Sequence, residues 1–169
     1  MAPQGGPFGK ATVAGKGPMS LRLEEIRSKD LTTEERQSIF DHALDLHLVG
    51  GEEVDNLTLD ILERDGSVKH LLRIVDGLER VGVLYILPVA SQEGHLEMTI
   101  LVHGRSRGKG YTAQAVQALE AWLSQKYRSI SLCATVREHN PLRKELTKFL
   151  IESGYLYEPE KGMFVKKLK

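Results

Sequence analysis

Apolar residues recur along this chain with two periods, and the switches between them mark out its elements. Leu21, Leu23 and Ile26 suggest a first strand starting near Ser20. Thr32 and Glu35 then make a capping-box pattern, and Ile39, Phe40, Ala43 and Leu44 repeat behind it at helical spacing. Gly50-Gly51 stops that helix, and Val54, Leu57, Ile61 and Leu62 fit a second short one ended by Asp65-Gly66. Residues 67–75 and 80–87 are β-branched and apolar enough for strands, with Asp76-Gly77 as a strong turn signal between them. Gln92-Glu93-Gly94 supplies the next turn, so residues 95–102 complete an antiparallel meander. Ala115, Val116, Leu119, Trp122 and Leu123 lie along one helical stripe, and residues 129–136 read as a fifth strand returning parallel to the fourth through that helix. Leu142, Leu146, Phe149 and Leu150 mark a last helix, with Gly154 in the left-handed C-cap position. Residues 155–157 and 163–165 make two terminal strands around a turn at 159–162. The pattern predicts a mixed α/β fold with helices on both faces of the sheet.

Composition narrows the picture. Residues 1–18 are rich in Gly and Pro, with Phe8 almost the only large apolar side chain, and cannot offset their ordering entropy. They read as a flexible tail or an appended leader, with Met19 the native start and 19–169 a single domain of the 169-residue chain. The 23 basic and 23 acidic side chains cancel, which argues against a general nucleic-acid or membrane surface. No apolar run reaches the length of a membrane span and no signal-peptide segment follows the start, so a cytoplasmic location is expected. Cys133 is the single cysteine, which excludes an intrachain disulfide and a Cys-rich metal site. Its place in an alternating strand predicts a packed, inert thiol. His70, His95 and His103 fall on or beside strands, and His42 and His47 lie on different faces of a helix, so no metal set is expected.

The densest chemistry lies in Arg105-Ser106-Arg107-Gly108-Lys109-Gly110, between the apolar run Met98 to Val102 and the helix beginning at Tyr111. Two glycines one residue apart let the backbone turn tightly and expose its N–H groups, and the following helix aims the positive end of its dipole at the same spot. A pyrophosphate fits such a cradle. A Walker A loop needs one more residue between its glycines and a hydroxyl where Gly110 stands; a dinucleotide fingerprint needs a third glycine where Ala113 stands. The pattern that fits best is Arg/Gln-x-x-Gly-x-Gly/Ala, with Arg105, Gly108 and Gly110 in register.

At these residues the chain resembles the GNAT family of N-acetyltransferases, whose coenzyme A loop carries that pattern between its fourth strand and the helix after it. The order of elements from about Ser20 onward is similar too. The resemblance implies a mostly antiparallel mixed sheet of about six or seven strands, splayed between strands 4 and 5, with acetyl-CoA in the splay and no metal. Pantetheine amides would meet backbone groups near Ile100, Leu101 and Val102, and the pyrophosphate would meet N–H groups of Arg107, Gly108, Lys109, Gly110, Tyr111 and Thr112. Arg105 and Lys109 can add charge-assisted contacts. Asn140, beside Pro141, matches an asparagine that often contacts the coenzyme in this family, and equally suits a helix start.

Direct transfer needs a neutral amine, a polarised thioester carbonyl and a proton for the departing thiolate. Glu97 is the best-placed base, with Glu93 and His95 behind it, because alternation puts Glu97 on one face with Thr99 and Leu101. The family resemblance implies an oxyanion donor at a backbone N–H near Leu101. Many family members carry a tyrosine shortly before the terminal Gly-aromatic pair; Gly154-Tyr155 matches the pair, but Phe149 and Leu150 stand ahead of it. Tyr155, Tyr157 or water is left as the acid.

Three functions follow from this reading. The first is acetyl transfer from acetyl-CoA to an amine on a small molecule or a protein, through a ternary complex, with a homodimer as the common association in proteins of this resemblance. The second is a catalytically degenerate CoA-binding sensor or interaction module. The third, an RNA- or nucleotide-binding domain, is disfavoured by zero net charge and the lack of aromatic runs for base stacking. Acidic side chains between Asp41 and Asp65 suit a cationic amine or a solvated helix face.

Overall fold

The computed structural model describes residues 21–45, 68–90, 92–136, 138 and 140–168, with side chains in the first helix described as far as His42. The strands are β1 (Leu21–Glu25), β2 (His70–Asp76), β3 (Glu79–Pro88), β4 (His95–Val102), β5 (Ile130–Ala134), β6 (Leu156–Glu158) and β7 (Met163–Leu168). The helices are α1 (Thr33–Asp45), α2 (Tyr111–Lys126) and α3 (Arg143–Glu152). All seven strands join one sheet in the order β1-β2-β3-β4-β5-β7-β6. Every pairing is antiparallel except β4 with β5. The expected second helix at 54–62 and the tail at 1–18 lie outside the described residues, as does most of the acidic stretch beyond Asp41. No helix among the described residues is long and apolar enough to cross a membrane.

Register assigns every strand residue to a face, because directly paired residues share one. One row runs Leu87, Glu97, Cys133, Val165, Leu156 across β3, β4, β5, β7 and β6. Beside it, Leu71, Tyr85 and Thr99 share the same face. That face carries the smaller apolar cluster of Leu31, Val68, Leu71, Val83 and Tyr85, on which Ile39 of α1 packs. The opposite face carries the larger core, with Leu84, Ile86, Leu96 and Leu132 from the sheet against Ala115, Val116, Leu119 and Leu123 of α2 and Phe149 and Leu150 of α3. At Gly82 a side chain has no room: a Cβ would stand 2.4 Å from the Leu101 carbonyl oxygen. β3 and β4 therefore approach unusually closely at the end of the sheet that leads to the basic loop.

Several boundaries differ from the sequence expectation for identifiable reasons. β5 ends at Ala134 instead of residue 136, because the β4–β5 pairing stops at Glu97–Cys133 and residues 135–136 have no strand beside them. β7 extends to Leu168 through Lys166 and Lys167, since Lys166 pairs with Glu120 of α2 at 3.0 Å and its charge is satisfied on the core side. α3 ends in a Schellman motif, with Gly154 at φ 98, its N–H bonded to Ile151 O at 3.1 Å and that of Tyr155 to Leu150 O at 2.9 Å.

α1 is fixed at its first turn. The Glu35 N–H donates to Thr32 Oγ1 at 3.1 Å and the Thr32 N–H donates to Glu35 Oε1 at 2.8 Å, completing the expected capping box. Glu35 also receives Arg73 of β2, from Nε at 2.6 Å and Nη2 at 2.9 Å, and Arg73 Nη2 donates to Asp30 O at 2.8 Å. Glu35 is fully buried and Arg73 is 7% exposed, so neither charge has water to replace its partner. Burial pushes the Glu35 carboxyl up, yet the Arg73 hydrogen bond, the Thr32 amide and the Arg73 charge outweigh it and hold the group below its ordinary value of 4.5. The stability this pair contributes is therefore present above that ordinary value and is lost as the pH falls below it. Glu35→Gln, which strands a buried guanidinium, is expected to cost about 3 kcal/mol in urea denaturation at neutral pH. A loss under about 1 kcal/mol would show that α1 does not depend on the pair.

Candidate functional site

β4 changes partner halfway along. Its parallel pairing to β5 covers only His95–Ser131, Leu96–Leu132 and Glu97–Cys133, while its pairing to β3 continues to Val102. The Ser131 N–H bonds Gly94 O at 2.8 Å and the His103 N–H bonds Val81 O at 2.8 Å. By alternation, even-numbered residues of β4 direct their N–H and C=O toward β5 and odd-numbered ones toward β3. Past Glu97 this leaves the Ile100 and Val102 amides facing the gap between the separating strands, whereas the Leu101 backbone belongs to the β3 ladder. The Val102 carbonyl accepts Arg107 Nε at 3.2 Å. The backbone expected near Leu101 is thus supplied on this edge by its two neighbours.

The basic loop follows the open edge. A short 3-10 turn, Gly104–Ser106, leads to Gly108 and Gly110, at φ 80 and φ 81. Gly110 is the N-cap of α2 and no side chain caps that end, so the first-turn amides of Tyr111, Thr112 and Ala113 lack helical acceptors. The Arg107 N–H is already bonded to Gly104 O at 3.3 Å, so the open cradle starts one residue later than the sequence suggested. Arg107, Gly108 and Lys109 are exposed to solvent around it. Tyr111 does not offer its hydroxyl to the cradle: it makes a short hydrogen bond to Asp76 Oδ2 at the β2–β3 turn, tying the start of α2 to that hairpin.

Arg105 has a different place from the one expected. Its Nε and Nη2 hold both oxygens of Glu34 at 3.0 and 2.9 Å, its Nη1 holds Glu79 at 2.7 Å, and Nη2 also donates to Arg80 O at 2.9 Å. The guanidinium is committed to α1 and β3 and staples the loop to both. Its hydrogen bond to Glu34 is the main reason that carboxyl lies below its ordinary range. Sequence reading missed this because Glu34 and Glu79 are distant in the chain and look like ordinary surface carboxylates. Under the staple sits His103, 2% exposed, with Nδ1 3.0 Å from Ser38 Oγ and Nε2 without a hydrogen-bond partner, 4.0 Å from Glu34 Oε1.

Glu97, Thr99 and Leu101 share the α1 face through their pairing to Leu87, Tyr85 and Val83. Glu97 stands at the last β4–β5 pair, where the Thr135 hydroxyl donates to its Oε2 at 2.9 Å. Tyr85 pairs with Thr99 across β3 and β4, and burial, with the Glu97 charge adding to it, pushes its phenol above its ordinary value. Cys133 is fully buried beside Glu97, and burial followed by the Glu97 charge pushes its thiol up to about 11. It is a packed thiol without thiolate character near neutral pH. Tyr85 and Thr135 escaped sequence reading: only register shows that Tyr85 lies beside Thr99, and only the separation of the strands lets Thr135 reach Glu97. His95 begins the same face, with Nδ1 3.3 Å from Glu93 O, while Glu93 is exposed in the turn.

The other expected residues stand elsewhere. Tyr155 is fully buried in the α2-side core and its hydroxyl donates to Glu120 Oε2 at 2.7 Å, with Lys166 on the other oxygen. Burial raises that phenol far above its ordinary value. Tyr157 packs on Phe164 at 5.1 Å and shares its face through Phe164 and Ala134, again on the α2 side. Both tyrosines, read from the sequence as candidate acids, therefore lie on the opposite face from Glu97. The Asn140 side chain caps the approach to α3, accepting the Leu142 N–H at 2.8 Å. No group of three or more His, Cys, Asp or Glu suited to a metal occurs among the described residues.

A strand that opens from its parallel neighbour and runs into a glycine loop and an uncapped helix fits the coenzyme A loop that the sequence resemblance implied. The chain belongs to the acetyltransferase (GNAT) family, whose model matches residues 29–149, more than half its length. Among solved structures it is similar to an acetyltransferase from Thermus thermophilus, at 22% identity and TM-score 0.62 over 89% of this chain and 98% of that one. It is also similar to a GNAT family acetyltransferase from Brucella melitensis in complex with acetyl-CoA, at 14% identity and TM-score 0.52 over 88% of each chain. A third is the Salmonella typhimurium acetyltransferase that modifies the N-terminal serine of ribosomal protein L7/L12, at 13% identity and TM-score 0.59 over 89% and 96%. These likenesses show the fold. No curated protein matches the chain by sequence.

The buried imidazole makes the loop anchor sensitive to acid. Burial is the main cause that lowers His103 from its ordinary value of 6.5; Glu34 and Glu35 of α1 oppose it, and Arg105 and Arg107 of the loop reinforce it. The unfolded chain therefore takes up this proton first, and stability falls as the pH drops below that ordinary value until the folded imidazole protonates as well. His103→Asn is expected to flatten the loss of stability between about pH 7 and pH 5 in urea denaturation. Equal slopes in the two proteins would show that His103 is not the group responsible.

Proposed function

We propose that the protein transfers the acetyl group of acetyl-CoA directly to an amine, on a small molecule or a protein, through a ternary complex. The observation that carries this reading is the end of the parallel ladder at Glu97–Cys133, directly ahead of a loop with two left-handed glycines and an uncapped α2. The open Ile100 backbone and the Val102 N–H suit the amide groups of pantetheine, and the amides from Gly108 to Thr112 suit a pyrophosphate. Lys109 and Arg107 add positive charge at that end, and Arg105 serves by holding the loop in place. The relatives described as complexes with acetyl-CoA or as acting on a protein N-terminus support the same reading.

Chemistry then falls at the apex of the splay. A neutral amine nitrogen attacks the thioester carbonyl carbon, and its proton passes to Glu97 directly or through a water. A backbone N–H of the open β4 edge stabilises the oxyanion, the C–S bond breaks, and the thiolate takes its proton from water. Water is the donor because Tyr155 and Tyr157 occupy the other face of the sheet. Glu97 also favours a cationic amine on approach. We read the reaction as cytoplasmic, with a homodimer as the working assembly. One observation favours the second reading, a CoA-binding module without turnover: no tyrosine expected to act as acid stands beside Glu97.

Calorimetric titration with acetyl-CoA, followed by a thiol-release assay over a panel of amines, separates the readings. Glu97→Gln is expected to lower kcat by about a hundredfold and leave coenzyme affinity within about twofold. Gly108→Val is expected to abolish binding, because a β-branched residue is strained at φ 80. Binding without release of thiol from any amine would select the module; no binding by folded protein would sink both readings.

A further inference from the structure

We propose that Thr135 is the positioning residue of the Glu97 carboxylate, locking it at the apex of the splay; this rests on the reading of Glu97 as the base. Cys133 is opposite Glu97 in the last β4–β5 pair. Had the ladder continued, Thr135 would stand opposite Thr99. The strands part instead, and the Thr135 hydroxyl swings to Glu97 Oε2 at 2.9 Å. One side-chain hydrogen bond thus spans the two strands where backbone pairing ceases.

The neighbouring donors cannot replace it. Among the described residues, Thr135 is the one side chain that donates a hydrogen bond to Glu97, and Thr99, the next residue of β4 on that face, does not. The Cys133 thiol is a weak donor, fully buried and one residue short of the gap. Glu97 sits on a strand face half open to solvent, where a glutamate rotates among several staggered conformers. A hydroxyl held on Oε2 removes that freedom and leaves Oε1 to accept a proton from the gap. Thr135 itself need not touch either substrate. It lies just past β5 in the sequence, where a threonine carries no motif, so only the geometry assigns it a role.

The test compares wild type, Thr135→Val and Thr135→Ser, each with and without Glu97→Gln. Valine keeps the shape and removes the donor; serine keeps the donor. Thr135→Val is expected to lower kcat about tenfold, with acetyl-CoA affinity unchanged within about twofold, and Thr135→Ser to restore the rate. In the Glu97→Gln background, Thr135→Val should cost nothing further. Carboxyl carbon NMR of glutamate-labelled protein gives a readout that needs no turnover: the Glu97 resonance should move in Thr135→Val and return in Thr135→Ser. A wild-type rate in Thr135→Val, or an equal further loss in the Glu97→Gln background, would overturn the proposal. If no amine is acetylated by wild type, the proposed reaction fails, and the resonance decides this proposal alone: an unmoved signal means Thr135 does not hold Glu97.

Discussion

The site depends on a hydrogen-bond ladder that stops. β4 and β5 pair over three residues and then part, while β4 remains paired to β3 on its other side through Val102. Unpaired backbone inside a sheet is costly unless water or a ligand meets it, so an interrupted ladder is a place where a folded chain stores binding capacity. The direction of the parallel pair matters as well. Because the crossover helix α2 must start at the end where the strands separate, its uncapped N-terminus faces the same gap. Strand edge, glycine loop and helix end are therefore consequences of one topological step.

Holding that step open requires contacts that span the chain. Arg105 joins the loop to Glu34 of α1 and Glu79 of β3, Tyr111 joins the start of α2 to Asp76, and Arg73 joins β2 to Glu35. Exposed pairs of this kind contribute little individually, but the Arg73–Glu35 pair is buried, and the Arg105 fan engages three groups at once. They tie α1, which packs on the same face of the sheet as Glu97, to the glycine loop. His103 lies between them, so the same scaffold that shapes the cradle has a protonation limit built into it.

Much of this was legible in the sequence, and the omissions have a common cause. The capping box at Thr32 and Glu35, the meander from β2 to β4, the glycine pair and the C-cap at Gly154 are local patterns whose geometry is set within a few residues. Alternation also placed Glu97 with Thr99 and Leu101. What local pattern does not carry is register between distant strands. Without it, Tyr155 and Tyr157 could not be assigned to the face opposite Glu97, Leu101 could not be told from Ile100 and Val102 at the open edge, and Tyr85 could not be placed beside Thr99. The second partner of Arg105 and the reach of Thr135 likewise exist only once β3 and β5 are in position.

Residue-resolved NMR during titration with acetyl-CoA tests the central claim most directly, because it asks which amides meet the ligand. The account predicts the largest amide shifts and new exchange protection at Ile100, Val102, Gly108, Gly110 and Thr112, with Leu101, already paired to β3, changing far less. Saturable shifts confined to another surface, or none at all in folded protein, would contradict it.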